Sequence, residues 1–273
     1  MTTAHSLHIG LNHVSPAAYS GWDGALAGCI NDAKDMNKIA KGLGYTSVLL
    51  TDADATSDRV IYELGKVASL LKSGDILFVT YSGHGGQVKD VNGDEKDGLD
   101  ETWCLWDRQF IDDELYRLWV QFELGVRIVV LSDSCHSGTV IRAPALAVLA
   151  ARTRKEEKRS RRIPRNIQDA VNSTHEIAIA AAQYLAGPSE RVKVPASIIL
   201  ISGCQDQQES GDGSRNGVFT EKLKATWDNG AFEGTYRDFY EKIKSNMPDD
   251  QTPNYLFIGE KNEAFQDEKP FKV

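Results

Sequence analysis

Six short apolar runs, rich in β-branched residues, recur along the chain: LHIGLNHV (7–14), SVLLTD (47–52), DILFVTYSG (75–83), RIVVLSDS (127–134), ASIILISG (196–203) and NYLFIGE (254–260). Several are continuously hydrophobic rather than alternating, the pattern of strands buried on both faces. Stretches of helical period lie between them. One covers about 32–43, with Ala33, Met36, Ile39, Ala40 and Leu43 on one face, and stops near Gly42 and Gly44. Another covers about 58–71, led by Thr56, Ser57 and Asp58 as cap candidates. Others fall near 112–123, 173–185, 218–229 and 235–246. Strand and helix in repeated alternation imply an α/β sheet with helices on both faces. The chain shows no internal repeat.

At 273 residues the chain suits one large α/β unit, residues 1–273. A net charge of −8 argues against a nucleic-acid partner. The N-terminus lacks a basic region followed by an apolar core, and the mid-chain run APALAVLAA (143–151) is too short to span a bilayer, so no membrane partner is expected. Cys29, Cys104, Cys135 and Cys204 form no CxxC pair; disulfides and a zinc knuckle are not expected, and a reducing cytoplasm fits. The charge is uneven. An acidic segment, KDVNGDEKDGLDE (89–101), and a basic one, RTRKEEKRSRRIPR (152–165), interrupt the pattern; residues 141–167 hold nine Arg or Lys against two Glu.

In open α/β sheets, functional residues collect at the carboxyl ends of strands. Two strands here end in unusual chemistry: ILFVTYSGHGG on His84 among glycines, and RIVVLSDSCHSG on Cys135. If these strands are parallel neighbours, a thiol and an imidazole emerge at one edge. A thiolate is needed to attack a carbonyl, and an adjacent imidazolium favours it. The backbone N–H groups of Gly85 and Cys135 are candidate oxyanion donors, and His84 can protonate a leaving amine. The plainer alternative is a buried cysteine acting as a small hydrophobe and a loop histidine. Two strand ends in Gly-rich turns favour the dyad. His136, the rival base, points the opposite way on a strand; His5, His8, His13 and His175 suit surface or core roles.

YSGHGG followed by DSCHSG resembles the caspase-like cysteine peptidases, and specifically the metacaspases and their prokaryotic relatives, the orthocaspases. His84 precedes Cys135 by 51 residues, near the roughly 50 that separates the caspase dyad. The segments GCINDAKDM (28–36), GDEKDGLDE (93–101), DDEL (112–115), ISGCQDQQES (201–210), GVFTEKL (217–223) and QTPNY (251–255) extend the likeness over most of the chain. The resemblance implies a caspase-like sandwich: a central, mostly parallel six-stranded sheet flanked by helices. It implies His84 and Cys135 as catalytic dyad, and cleavage after Arg or Lys. Caspases carry Gln two positions before the cysteine; this chain has Asp133 there. The family's second pocket carboxylate falls on Asp32, and Cys29 and Ser82 match two further pocket residues. Two carboxylates would hold a guanidinium bidentately or an ammonium as a point charge. On residues alone Asp32 reads as a helix N-cap, a role Asn31 could take if Asp32 lines the pocket. The expected partners are protein or peptide substrates, and the family's usual extra strands favour a monomer.

The basic segment reads plainly as a solvated linker. A sharper expectation is self-processing by an enzyme that cuts after Arg or Lys, with Arg152, Arg154, Lys155, Lys158, Arg159, Arg161 and Arg162 as candidates. An uncut segment could also sit in the acidic pocket and block it. In the acidic segment, Asp90, Asn92, Asp94 and Glu101 match four EF-hand positions, but Glu95 replaces the required glycine and no helix precedes the loop. Many metacaspases use calcium. Here WDRQFIDDEL lacks the Pro and Gly of the relatives' longer loop, leaving Asp107, Asp112 and Asp113 as candidate oxygen ligands. Activity without calcium, and no required cofactor, is the expectation. Two alternatives stand beside the peptidase. A silent caspase-like interaction module has no reason to keep His84, Cys135, Asp133 and Asp32. A nucleotide binder needs a Gly loop opening a helix, whereas an acidic loop follows GHGGQ.

Overall fold

The computed structural model describes residues 2–91, 93, 98–135, 159–187, 193–204, 210–213 and 215–273. All six apolar runs are strands of one sheet: β1 (Ala4–Gly10), β2 (Thr46–Thr51), β3 (Ile76–Ser82), β7 (Arg127–Asp133), β9 (Ser197–Ser202) and β11 (Asn254–Gly259). Their order is β11-β9-β7-β3-β1-β2, parallel throughout except that β11 runs antiparallel to β9. Every residue of β3, β7 and β9 is buried, as their unbroken apolar runs require.

Side chains alternate between two cores. Leu77, Val79, Ile128, Val130, Ile198 and Leu200 face one layer; Ile76, Phe78, Val129, Leu131, Ile199 and Ile201 face the other. Helices α2 (Ser57–Leu70), α3 (Asp112–Trp119) and α4 (Arg165–Ala186) flank the first core. The second is covered by α1 (Cys29–Gly42), α5 (Val218–Trp227), α6 (Tyr236–Ser245) and the short α7 (Glu263–Gln266). No helix among the described residues is long and apolar enough to cross a membrane.

Two additions depart from the sequence expectation. The acidic segment begins and ends inside strands: β4 (Gly85–Lys89), β5 (Leu99–Cys104) and β6 (Gln109–Ile111) form a small antiparallel sheet. Their sequences mix glycine and polar residues, so neither period stands out. Helix α4 starts at Arg165, right after Pro164 and well before the expected 173; its first turn holds Ile167 among the polar Arg165, Asn166 and Gln168, which leaves the helical period faint there. Near the site, β8 (Arg159–Ser160) pairs antiparallel with β10 (Gly211–Asp212).

Candidate active site

Strands β3 and β7 are parallel neighbours, with Ser82 opposite Asp133. The two chain segments that follow, bearing His84 and Cys135, therefore leave the same sheet edge. They approach so closely that a Cβ on Gly85 would overlap the Cys135 carbonyl oxygen, which explains the glycine there. The Tyr81 hydroxyl donates to the His84 carbonyl (2.6 Å) and to that of Cys104 (3.1 Å), and its ring stacks on Trp103 at 4.5 Å. The loop carrying His84 is thereby held to β5.

The His84 ring is buried against Trp22, with centroids 4.6 Å apart. Its Nε2 lies 2.9 Å from the Gly24 carbonyl, an acceptor, so Nε2 carries the proton. Nδ1 is then a lone pair, buried without a hydrogen-bond partner. Burial pushes the imidazole down to about 4, so it is neutral at pH 7. For the Cys135 thiol, burial alone would raise the pKa. Hydrogen bonding with Cys204, the Ser210 N–H and Ser160, with the Arg162 charge, outweighs burial and brings it below the usual thiol value. The Ser210 N–H lies 3.0 Å from Sγ. This help for the thiolate comes from sources other than the expected imidazolium.

The acidic pocket is filled by the chain itself. Arg161, expected in an exposed loop, has no solvent exposure at all. Its Nη1 donates to the Asp133 carbonyl (2.9 Å) and to the Ser82 hydroxyl (2.9 Å), and pairs with the Asp133 carboxylate (3.0 Å). Its Nη2 pairs with Asp32 (2.8 Å) and with Asp212 (3.0 Å). Ser82 donates onward to Asp32 at 2.7 Å. Cys29 lies beside this cluster, its thiol pushed well up by burial, against the lowering pull of Arg161. The solvated-linker reading of the basic segment thus fails at Arg161: its guanidinium can be buried because carboxylates and hydrogen-bond acceptors pair its charge.

The carboxylates have their own support. Gly217 N–H donates to Asp32 (3.0 Å), while Thr220 donates to Asp133 through N–H (3.2 Å) and hydroxyl (2.8 Å). Both acids therefore sit at the N-terminus of α5, whose unpaired N–H groups and dipole favour negative charge. Gly217 is required for closeness, since a Cβ there would meet Arg161 Nη2 and Asp133 Oδ2. Asp32 is not the cap of α1. Nor is Asn31, whose side chain donates to the Arg215 carbonyl. Asn12 accepts from Ile30 N–H and Asp212 from Gly28 N–H instead. A nearby carboxylate and burial matter for Asp32: burial chiefly, with Asp133, raises it to about 6 against the opposing pull of Arg161.

The backbone of residues 159–163 is held at both ends. Ser160 pairs with Gly211, and Arg161 N–H donates to the Ser210 carbonyl (3.1 Å). Gly85 N–H donates to the Arg161 carbonyl (2.9 Å), and Ile163 N–H donates back to the Gly85 carbonyl (3.0 Å). Ser160 Oγ is 3.8 Å from Cys135 Sγ. The Arg161 carbonyl oxygen thus rests on a Gly85 donor, one residue after the serine whose Oγ approaches the thiol. This is a short stretch of chain paired along a strand edge, with one side chain seated in a pocket.

Of the other candidates, Arg152, Arg154, Lys155, Lys158 and His136 lie outside the described residues, as do Asn92, Asp94 and Glu95; of Arg159 only the backbone is described. Asp107 is engaged by Ser57, accepting from its N–H (2.8 Å) and hydroxyl (2.7 Å) at the start of α2. Asp112 and Asp113 are buried at the start of α3. Among the described residues no three His, Cys, Asp or Glu converge so as to hold a metal ion. Sequence reasoning passed over Asp212, Ser210 and Gly24. The signal for Asp212 was its place in the Gly-bracketed SGDG, where backbone can approach closely.

A thiol and an imidazole at adjoining strand ends, beside an acidic pocket on a mostly parallel six-stranded sheet, define a caspase-like protein. The caspase domain model matches residues 10–264, and the chain belongs to this peptidase family. Curated relatives include Metacaspase-1 of Schizosaccharomyces pombe, 33% identical over 80% of this chain and 57% of that protein, and Metacaspase-1 of Botryotinia fuckeliana, 32% identical over 77% and 55%. The chain thus spans a little over half the length of these relatives. A crystal structure of a Geobacter sulfurreducens protein is 42% identical over 99% of both chains, with a TM-score of 0.88. Caspase-1 of Spodoptera frugiperda shares the fold, at a TM-score of 0.54 and 12% identity over 93% of this chain and 86% of that one.

Proposed function

We propose that the protein is a cysteine endopeptidase that cleaves after Arg or Lys and cuts its own chain after Arg161. The observation that carries this reading is the course of residues 159–163. Arg161 fills the acidic pocket and its carbonyl oxygen meets the Gly85 N–H beside Cys135. In the reaction, the Cys135 thiolate adds to the Arg161 carbonyl carbon, and the developing oxyanion is held by the Gly85 and Cys135 N–H groups. His84, through Nδ1, takes the thiol proton and passes it to the Arg162 amine as the C–N bond breaks. Water then hydrolyses the thioester with His84 as base, leaving a carboxylate on Arg161 and a free thiol. Until that cut, the same residue excludes other substrates.

The reaction as proposed needs no metal. Asp107, one of the three candidate calcium ligands, is already committed to Ser57. The test is intact-mass measurement of freshly purified protein in EGTA, followed by peptides ending in Arg, Lys or Asp. We expect fragments 1–161 and 162–273 from the parent, an uncut Cys135→Ala chain, and release only after Arg or Lys. An active parent that stays whole would remove self-cleavage. Activity that disappears in EGTA and returns with calcium would remove the metal-free reading. No release under any condition would leave a silent interaction module.

A further inference from the structure

The pocket holds a carboxylate beyond the two that bind a basic side chain on Asp32 and Asp133. Asp212 reaches it from β10, the strand on which residues 159–160 pair. Its side chain is almost wholly buried, and Oδ1 lies 3.0 Å from Arg161 Nη2. The same carboxylate accepts from Ala27 N–H (2.7 Å) and Gly28 N–H (3.1 Å), which hold it rigidly at the start of α1.

The carboxylates are divided between the two ends of the guanidinium. Asp133 and Ser82 take Nη1; Asp32 and Asp212 take Nη2. Nε is buried without a partner, so recognition rests on the two terminal nitrogens. A lysine offers one nitrogen on a stem that ends sooner. Placed among Ser82, Asp32 and Asp133, an ammonium satisfies its three donors there and gives up Asp212. The third carboxylate would then keep its Ala27 and Gly28 N–H donors but lose its cation, leaving a buried charge without a counter-charge.

Resting on the peptidase reading, we infer that Asp212 makes the pocket select Arg over Lys as the residue before the scissile bond. Its removal weakens Arg substrates far more than Lys substrates. Any general loosening of α1 from the lost Ala27 and Gly28 contacts falls on both equally.

The experiment compares kcat/KM for matched fluorogenic peptides ending in Arg or Lys, for parent and Asp212→Asn. The ratio is taken within each protein, so a pocket still filled by Arg161 in part of a sample cancels. We expect the parent to favour Arg and the ratio to fall by about tenfold in the variant, mostly through the Arg peptide. An unchanged ratio overturns the inference. A second measurement needs no peptidase activity. In a Cys135→Ala chain, Asp212→Asn and Arg161→Lys are combined in a four-way thermal-unfolding cycle. Asp212→Asn is expected to lower Tm clearly in the chain keeping Arg161, and much less in the Arg161→Lys chain. Equal losses overturn the assignment of Asp212 to the second guanidinium nitrogen. If the parent cleaves neither peptide, the peptidase reading fails by itself and this cycle still decides the role of Asp212.

Discussion

Asp32 is buried with Asp133 and Asp212 facing one guanidinium, so its proton is part of the pocket's balance. Burial raises its pKa from 3.8 to about 6. The native state therefore holds a proton on Asp32 in a range where the unfolded chain has released it. That contribution to stability is complete below about pH 4 and is lost as pH rises through about 6. In the Cys135→Ala chain, the Tm advantage of the parent side chain over Asp32→Asn should shrink between pH 4.5 and pH 7.5. A pH-independent difference would mean that Arg161 keeps Asp32 ionised throughout. His84, pushed down to about 4, has the opposite sign: its contribution is complete above its unfolded value and fades as pH falls. It is common to both proteins and cancels in the comparison.

Among elements, β4 has the least room for change. Its first residue, Gly85, donates to Arg161, accepts from Ile163 and touches the Cys135 backbone. Neither neighbouring backbone can yield, because β3 and β7 are packed in the middle of the sheet. Gly85→Ala should therefore cost about 1–3 kcal/mol through overpacking. It should also displace the donor facing the Arg161 carbonyl. Thermal unfolding and intact mass would register a lower Tm together with loss of self-cleavage. A variant as stable and as fully cut as the parent would show that the segment reaches the thiol by another path. Helix α5 is the counterpart on the acidic side. Its first turn supplies the N–H groups that let Asp32 and Asp133 share one pocket.

At the scale of the molecule, a cut after Arg161 falls outside the sheet yet divides its strands. β1, β2, β3 and β7 stay in the first fragment, and β9 and β11 pass to the second. β9 pairs with β7 along six residue pairs, from Arg127 with Ser197 to Ser132 with Ser202. Both faces of that junction are wholly buried. The fragments should therefore remain together after cleavage, eluting as one species in native size-exclusion chromatography at the position of the uncut Cys135→Ala chain. They should separate only in denaturant. Free fragments under native conditions would mean that the β7–β9 junction does not outlast the covalent link.

The sheet was legible in the sequence because strands buried on both faces leave unbroken apolar runs, as β3, β7 and β9 do. Cys135 and His84 were legible because glycines crowd strand ends where backbones meet. Asp32 and Asp133 were legible through the resemblance, and their burial cost is offset locally by the N-terminus of α5. What lies on irregular backbone left no period to read: the hairpin of β4 and β5, the β8–β10 pairing, and Asp212, which is 180 residues from Asp32 in the chain. Seven basic residues looked alike as exposed charges. Among the described residues the folded chain singles out Arg161, because burying a guanidinium requires carboxylates from three distant segments to converge, and convergence is a property of tertiary packing.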